Sequence, residues 1–309
     1  MITVLSGGVG AARFLQGLSQ VVPQREITII ANTADDAEFY GLHVSPDIDI
    51  VLYHLAGLAD EERGWGLRGD SFHAVDALER FGYETWFRLG DADLATCLHR
   101  TNLLRQDRTL SQATAEITRA LGLECAVLPM SDDPVRTKVE TADGVLDFQE
   151  YFVKHRAQVP VRGLRFEGAK TAQPAPGVLA VITEAELVVV APSNPLVSIG
   201  PILAVPGIRQ ALIQSKAPVI AVSPIVAGGV IKGPADRMLK ELGYEASATQ
   251  IARLYADFLN VLVIDNADAG LEAEIEAEGV EVVVTDTIMS SPEKKAALAR
   301  TVIEAAGRR

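Results

Sequence analysis

Residues 1–17, MITVLSGGVGAARFLQG, constrain the fold more than any other stretch of the chain. Ile2 to Leu5 is an apolar run of strand length, Ser6-Gly7-Gly8-Val9-Gly10 follows at once, and Ala11 to Leu18 reads as a helix with Ala12, Leu15 and Leu18 at helical spacing. A strand that passes through glycines into a helix makes an anion cradle. The glycines let the backbone come close, and the helix start offers unpaired N–H groups at the positive end of its dipole. Ser6, Gly7, Gly8 and Gly10 are therefore candidate phosphate contacts, and Arg13 in the first turn carries a charge toward the same anion. The loop is neither a Walker A nor a full GxGxxG, because Arg13 takes the place of the third glycine. The alternative is a tight turn that binds nothing.

The same strand-then-polar-loop pattern recurs along the chain. Apolar runs at Ile27–Ile30, Cys125–Leu128, Leu187–Val190, Val219–Val222, Val261–Ile264 and Val280–Val284 are each followed by small polar residues, with helical stretches between them. This predicts an α/β fold: a doubly wound, mostly parallel, Rossmann-like sheet. Helical runs dominate from Ile50 to Leu121 and predict a cap over the ligand edge. Residues 131–171 alternate in a β manner and predict a small β-rich insertion. The core then comprises residues 1–130, with the cap, and residues 172–309. Asp265 and Asp286 read as strand-end caps.

A chain of 309 residues with 48% hydrophobic content can bury a core of that size. The formal net charge of −13 argues against non-specific nucleic-acid binding, which needs a basic face. Cys97 and Cys125 are too few for a disulfide framework and fit a reducing, cytoplasmic setting. No apolar run is long enough to span a bilayer, and no signal-peptide pattern precedes the first one.

The polar loops carry the candidate chemistry. Asn32-Thr33-Ala34-Asp35-Asp36 sits past the second strand, at the edge where parallel sheets bind ligands. Ser45-Pro46-Asp47-Ile48-Asp49 follows, so Asp35, Asp36, Asp47 and Asp49 fall within fifteen residues. Such a density of like charge calls for a cation, helix N-termini or water, and Mg²⁺ suits carboxylates joined by substrate phosphates. Asp47 is expected to cap the helix that begins near Ile50, and Asp36 and Asp49 to meet metal or substrate. Ser193, Asn194 and Ser198, in a proline-stiffened loop with Gly200, suit a phosphate or a base edge, or else make a rigid capped turn. Lys232, beside glycines, is a further candidate anion contact.

The segments SGGVGAARFLQG, NTADD, GLHVSPDIDIVLYHLAG, FRLGDAD, LPMSDDPVRT, APSNPLVSIGPIL and SPIVAGGVIKGPADRM together resemble the 2-phospho-L-lactate transferases of coenzyme F420 synthesis, in order and over nearly the whole chain. The resemblance implies Mg²⁺-dependent transfer of a 2-phospholactyl or enolpyruvyl phosphate group. The donor would be a guanosine diphosphate ester and the acceptor the ribityl hydroxyl of the deazaflavin Fo. GMP would be released and F420-0, or its dehydro form, produced by a cytoplasmic homodimer. It further implies Fo contacts at Asp49, Arg88 and Asn32, Mg²⁺ at Asp36 and Asp49 with Asp35 beside them, and catalysis by Asp49 and Asp36. The diphosphate falls to the glycine loop, and the guanosine side to Ser193, Asn194 and Ser198. A more distant resemblance, to the gluconeogenesis-factor group of nucleotide-sugar-binding proteins, implies a non-catalytic regulator instead. That group matches less well in SPDIDIVLY and APSNPLVSIGP.

Overall fold

The computed structural model describes residues 1–231 and 233–307. Its main sheet has seven strands: β1 (Ile2–Ser6), β2 (Ile27–Ala31), β3 (Ala126–Pro129), β4 (Leu187–Val190), β5 (Val219–Val222), β6 (Val261–Asp265) and β7 (Glu281–Thr285). Across the sheet they run β3-β2-β1-β4-β5-β6-β7, and every neighbouring pair is parallel. The chain builds from β1 to one edge, crosses back, and builds to the other edge. The reversal falls between β1 and β4, and the crevice beyond their C-terminal ends is where sheets of this kind take ligands. Ser6 pairs with Ala31 and Leu5 with Val190, so the loops after β1, β2 and β4 leave at nearly the same level.

Strands covered on both faces read as continuous apolar runs, because successive side chains feed opposite cores. Val4, Ile29, Val189 and Val263 pack with Phe14, Leu15, Val51 and Val302 on one face. Leu5, Ile30, Val190 and Ile264 pack with Ile182, Ile202, Leu212 and Ile251 on the other. On the first face α1 (Gly8–Leu18) lies against α2 (Pro46–Leu55) and the C-terminal helix Pro292–Ala306. The buried Lys295 ammonium ties these elements together, donating to Gln16 Oε1 at 2.5 Å and Glu61 Oε2 at 2.6 Å.

Helix α1 begins at Gly8, three residues before the apolar spacing predicts. Glycine's low helix propensity hides this first turn from a sequence reading. Packing imposes it: a Cβ on Gly10 would stand 2.2 Å from the Pro192 carbonyl oxygen. Between β2 and β3 the chain makes a hairpin, Ala37–Phe39 with Leu42–Val44, then α2, α3 (His73–Leu78), α4 (Asp91–Leu104) and α5 (Leu110–Ala120). The hairpin turns on Tyr40 and Gly41, both at positive φ, as two-residue hairpins commonly require. Between β3 and β4 lies an antiparallel three-stranded sheet with Arg136–Thr141 in the centre, flanked by Gly144–Asp147 and Gly163–Glu167. Thr137 N donates to Ala34 O at 2.8 Å and docks this sheet on the loop after β2. No helix among the described residues is long and apolar enough to cross a membrane.

Gly17 tests the helix packing. A Cβ there would lie 2.3 Å from the Lys295 carbonyl carbon and oxygen. Gly17→Ala is expected to lower stability by about 1–3 kcal/mol, read as a lower urea midpoint. An unchanged midpoint would mean that the two helices part freely.

Candidate functional site

A cleft of about 540 Å³ opens at the β1–β4 reversal. One wall is backbone. Gly7 is extended and precedes α1 without a side-chain cap, and Gly8 follows at φ +74°. A Cβ on Gly7 would come within 2.6 Å of Ser198 Cβ, so the glycine loop and the loop after β4 touch in a way that only glycine permits. The second loop is held by a π-helical turn, Pro195–Ile199, capped by Asn194 Oδ1, which accepts from Leu196 N at 2.9 Å and Val197 N at 3.3 Å. Ser193 Oγ accepts from Gly7 N at 3.4 Å. Gly7, Gly8, Gly10, Arg13, Ser193, Asn194 and Ser198 all line the cleft. Ser6 does not reach it, being 0% exposed at the end of β1. Lys232 lies outside the described residues; its neighbours Ile231 and Gly233 line the far end.

The floor is acidic. Asp35, Asp47, Asp49 and Asp93 line it. Burial pushes Asp35 well above the usual carboxylate range, and Asp47 and Asp36 push it further. Asp47 lies in the first turn of α2, yet its carboxylate caps α1 instead, accepting from Gly8 N at 2.9 Å. Its other oxygen accepts from Asn32 Nδ2 at 2.9 Å, and burial raises its pKa to about 6. Asn32 also donates to Val197 O at 3.3 Å and is 0% exposed. It therefore joins the acidic loops to the β4 loop from beneath rather than facing a ligand. Asp36 is turned to Ser45 Oγ at 2.8 Å and His43 Nε2 at 2.9 Å.

Asp49 is neutralised from within. Arg100, fully buried on α4, grips both of its oxygens, Oδ2 from Nη1 at 3.1 Å and Oδ1 from Nη2. Burial works against the guanidinium, but Asp49 more than offsets it, so Arg100 stays charged. Asp93 accepts from Tyr53 OH at 2.7 Å, and burial with the nearby Asp49 charge raises its pKa to about 7. Cys97 Sγ lies within 4.8 Å of ligand atoms of Asp49 and Asp93. Burial pushes this thiol up.

The remaining wall is aromatic. Trp65, Trp86, Phe87, Phe148 and Phe152 line it, with Arg88 among them. Phe87 stacks on Phe39 at 3.8 Å between centroids, and Trp86 meets Phe39 edge-on at 5.3 Å. Arg88 is set by Asp76 at 2.5 Å and lies over the Phe72 ring. Thr287 to Ser290 close the far end. Their loop is fixed by Asp265, which accepts from Thr287 N at 2.9 Å and Thr287 Oγ1 at 3.0 Å, as a strand-end cap should.

Sequence reasoning missed Tyr53, Asp93, Arg100, Phe148, Phe152 and the Thr287 loop. A signal existed for three of them. Asp49 and Tyr53 stand at i, i+4 on α2; Asp93, Cys97 and Arg100 stand at i, i+4, i+7 on α4. Polar residues at the spacing of a buried stripe mark two helix faces that need each other.

A doubly wound α/β sheet with its cleft at the strand-order reversal puts that cleft where folds of this class place their ligand sites. The chain belongs to the 2-phospho-L-lactate transferase CofD family, whose model matches residues 2–305. A 2-phospho-L-lactate transferase from Methanosarcina mazei is 38% identical over 302 residues, covering 98% of this chain and 99% of that protein. A phosphoenolpyruvate transferase from Streptomyces griseus is 43% identical over 311 residues, covering 99% and 98%. Among solved structures, a UPF0052-family protein from Bacillus halodurans shares the fold, with a TM-score of 0.65 and 17% identity over 98% of both chains.

The floor predicts a pH signature. With its pKa raised to about 7 from the ordinary carboxylate value, Asp93 holds a proton in the folded state that the unfolded chain has lost. Stability from this group is present below about pH 4 and drains away as pH rises toward 7. Asp93→Asn keeps an acceptor for Tyr53 and removes the titration. Its melting temperature should exceed that of the parent at pH 8, by a margin that shrinks toward pH 5. A margin constant across that range would contradict a raised pKa at Asp93.

Proposed function

We propose that the chain transfers a three-carbon 2-phospho acid group, 2-phospholactyl or enolpyruvyl phosphate, from its guanosine diphosphate ester to the ribityl hydroxyl of Fo, releasing GMP and forming F420-0 or its dehydro form. Membership in a transferase family supports the reaction class. The observation that carries the rest is the composition of one cleft, in which a backbone cradle and an aromatic wall meet over an acidic floor. A pyrophosphate needs amides and a helix dipole, and a flat deazaflavin needs ring faces.

In this reading Gly7, Gly8 and Gly10 hold the diphosphate, and Arg13 adds its charge. Ser193, Asn194 and Ser198 hold the guanosine side. Trp86 and Phe87 stack on the deazaflavin, with Arg88 at its edge. The residues fit Mg²⁺: Asp35 and Asp36 each keep a buried oxygen without a hydrogen-bond partner among the described residues. Asp49 can join them through an oxygen it shares with Arg100. When bound, the cation would neutralise the phosphate oxygens as charge shifts between them. Asp49, fixed by Arg100, orients the acceptor hydroxyl. The hydroxyl oxygen bonds to the phosphorus that bears the three-carbon acid, the bond from that phosphorus to GMP breaks, and GMP leaves with the electron pair. The hydroxyl proton passes to the acidic floor.

The test is direct. Protein, Fo and Mg²⁺ incubated with each guanylyl ester in turn should give, with one of them, GMP and a product of the mass of F420-0 or dehydro-F420-0. No product from either ester would contradict the reading. Trp86→Ala should raise the KM for Fo roughly 3- to 10-fold and leave the donor KM unchanged; equal changes in both would remove Trp86 from the acceptor site.

A further inference from the structure

We propose that Asp47 is a latch on the glycine cradle, and that a divalent cation opens it, so that metal binds before nucleotide. The inference rests on the reading of the cleft as a guanylate site.

Two of the cradle's amides are already taken. Gly8 N donates to Asp47 Oδ1 at 2.9 Å, and Gly7 N donates to Ser193 Oγ at 3.4 Å. The Asp47 carboxylate lies on the loop itself, since a Cβ on Gly7 would stand 2.8 Å from Asp47 Oδ2. Asn32 holds that second oxygen in place. Helix α1 has no side-chain cap of its own, so the carboxylate stands at the dipole end where a phosphate would sit.

A phosphate oxygen and this carboxylate oxygen cannot both occupy the Gly8 N–H. Nor can two anions share the spot, because unit charges about 4 Å apart repel by several kcal/mol at an effective dielectric near 20. Asp47 must therefore leave before a phosphate can take the Gly8 N–H. On the acidic side its neighbours are Asp35 and Asp36, which would only repel it further. A cation held by the free oxygens of Asp35 and Asp36 reverses that repulsion and draws Asp47 off Gly8. The cradle then opens only when a metal is present to meet the incoming phosphates.

The probe is GDP, its affinity measured by calorimetry in EDTA and in Mg²⁺ for the parent protein and Asp47→Ala. The parent should bind at least ~10-fold more tightly in Mg²⁺. Asp47→Ala should bind in EDTA about as tightly as the parent does in Mg²⁺, leaving little metal dependence. An Asp47→Ala protein that keeps the parent's metal dependence would overturn the latch while leaving the guanylate site intact. A parent that binds no GDP in Mg²⁺ would overturn the guanylate site and the latch with it. A second measurement needs no variant. In ¹⁵N-glycine-labelled parent protein, Mg²⁺ alone should shift the Gly8 amide resonance as its hydrogen bond to Asp47 breaks. A Gly8 resonance that Mg²⁺ leaves in place would also overturn the latch.

Discussion

The contact on which everything else depends is backbone against backbone. The loop after β1 meets the loop after β4 so closely that Gly7 abuts Ser198 and Gly10 abuts the Pro192 carbonyl. No side chain fits between them. This closeness follows from the sheet: β1 and β4 are hydrogen-bonded neighbours in parallel register, so their loops emerge side by side while their helices diverge to opposite faces. The reversal of strand order produces a crevice, and the glycines keep it narrow enough for main-chain amides to define one wall. The π-helical turn after β4, capped by Asn194, turns Ser193 and Ser198 toward the same wall.

The opposite constraint governs the floor. Several buried carboxylates crowd one end of α2 and the loop before it, and a fold left to stability alone would not collect them. The structure relieves them singly. Arg100 neutralises Asp49, the α1 dipole and Asn32 receive Asp47, Ser45 and His43 take one oxygen of Asp36, and Tyr53 bonds to Asp93. What stays unrelieved is informative. The spare oxygens of Asp35 and Asp36 have no partner among the described residues. Unsatisfied groups of this kind concentrate where a ligand or cation completes the site. The aromatic wall is built on the cap and on the β-rich insertion, so the additions to the core sheet supply the cleft's apolar surface.

Much of this was legible in the sequence, and the reasons differ by element. The apolar runs of β1, β4 and β5 match the observed strands within a residue, because fully buried parallel strands leave an unbroken signal. The glycine loop and the SPDID segment were legible as ligand loops from their place at strand ends. The partners of their side chains were not. Asp47 sits where a helix cap belongs, but the helix it caps is α1, thirty-nine residues earlier. Arg100 reaches Asp49 across fifty-one residues, and periodicity reports only that both lie on helix faces. Ser6 and Asn32 stand in motifs that read as ligand contacts, yet both are fully buried. Position along the chain fixes the strand end a residue occupies, whereas the side it faces is decided by neighbours brought in from afar.

The central claim is that the amide cradle after β1 and the acidic floor serve one reacting phosphate. The most direct measurement is a crystal structure of the protein with GMP, Mg²⁺ and Fo bound together. The GMP phosphate should lie within hydrogen-bond reach of the Gly8–Gly10 amides, with the deazaflavin ring against Trp86 and its ribityl end directed at that phosphate. A phosphate bound elsewhere, or a ribityl chain pointing away from the cradle, would contradict it.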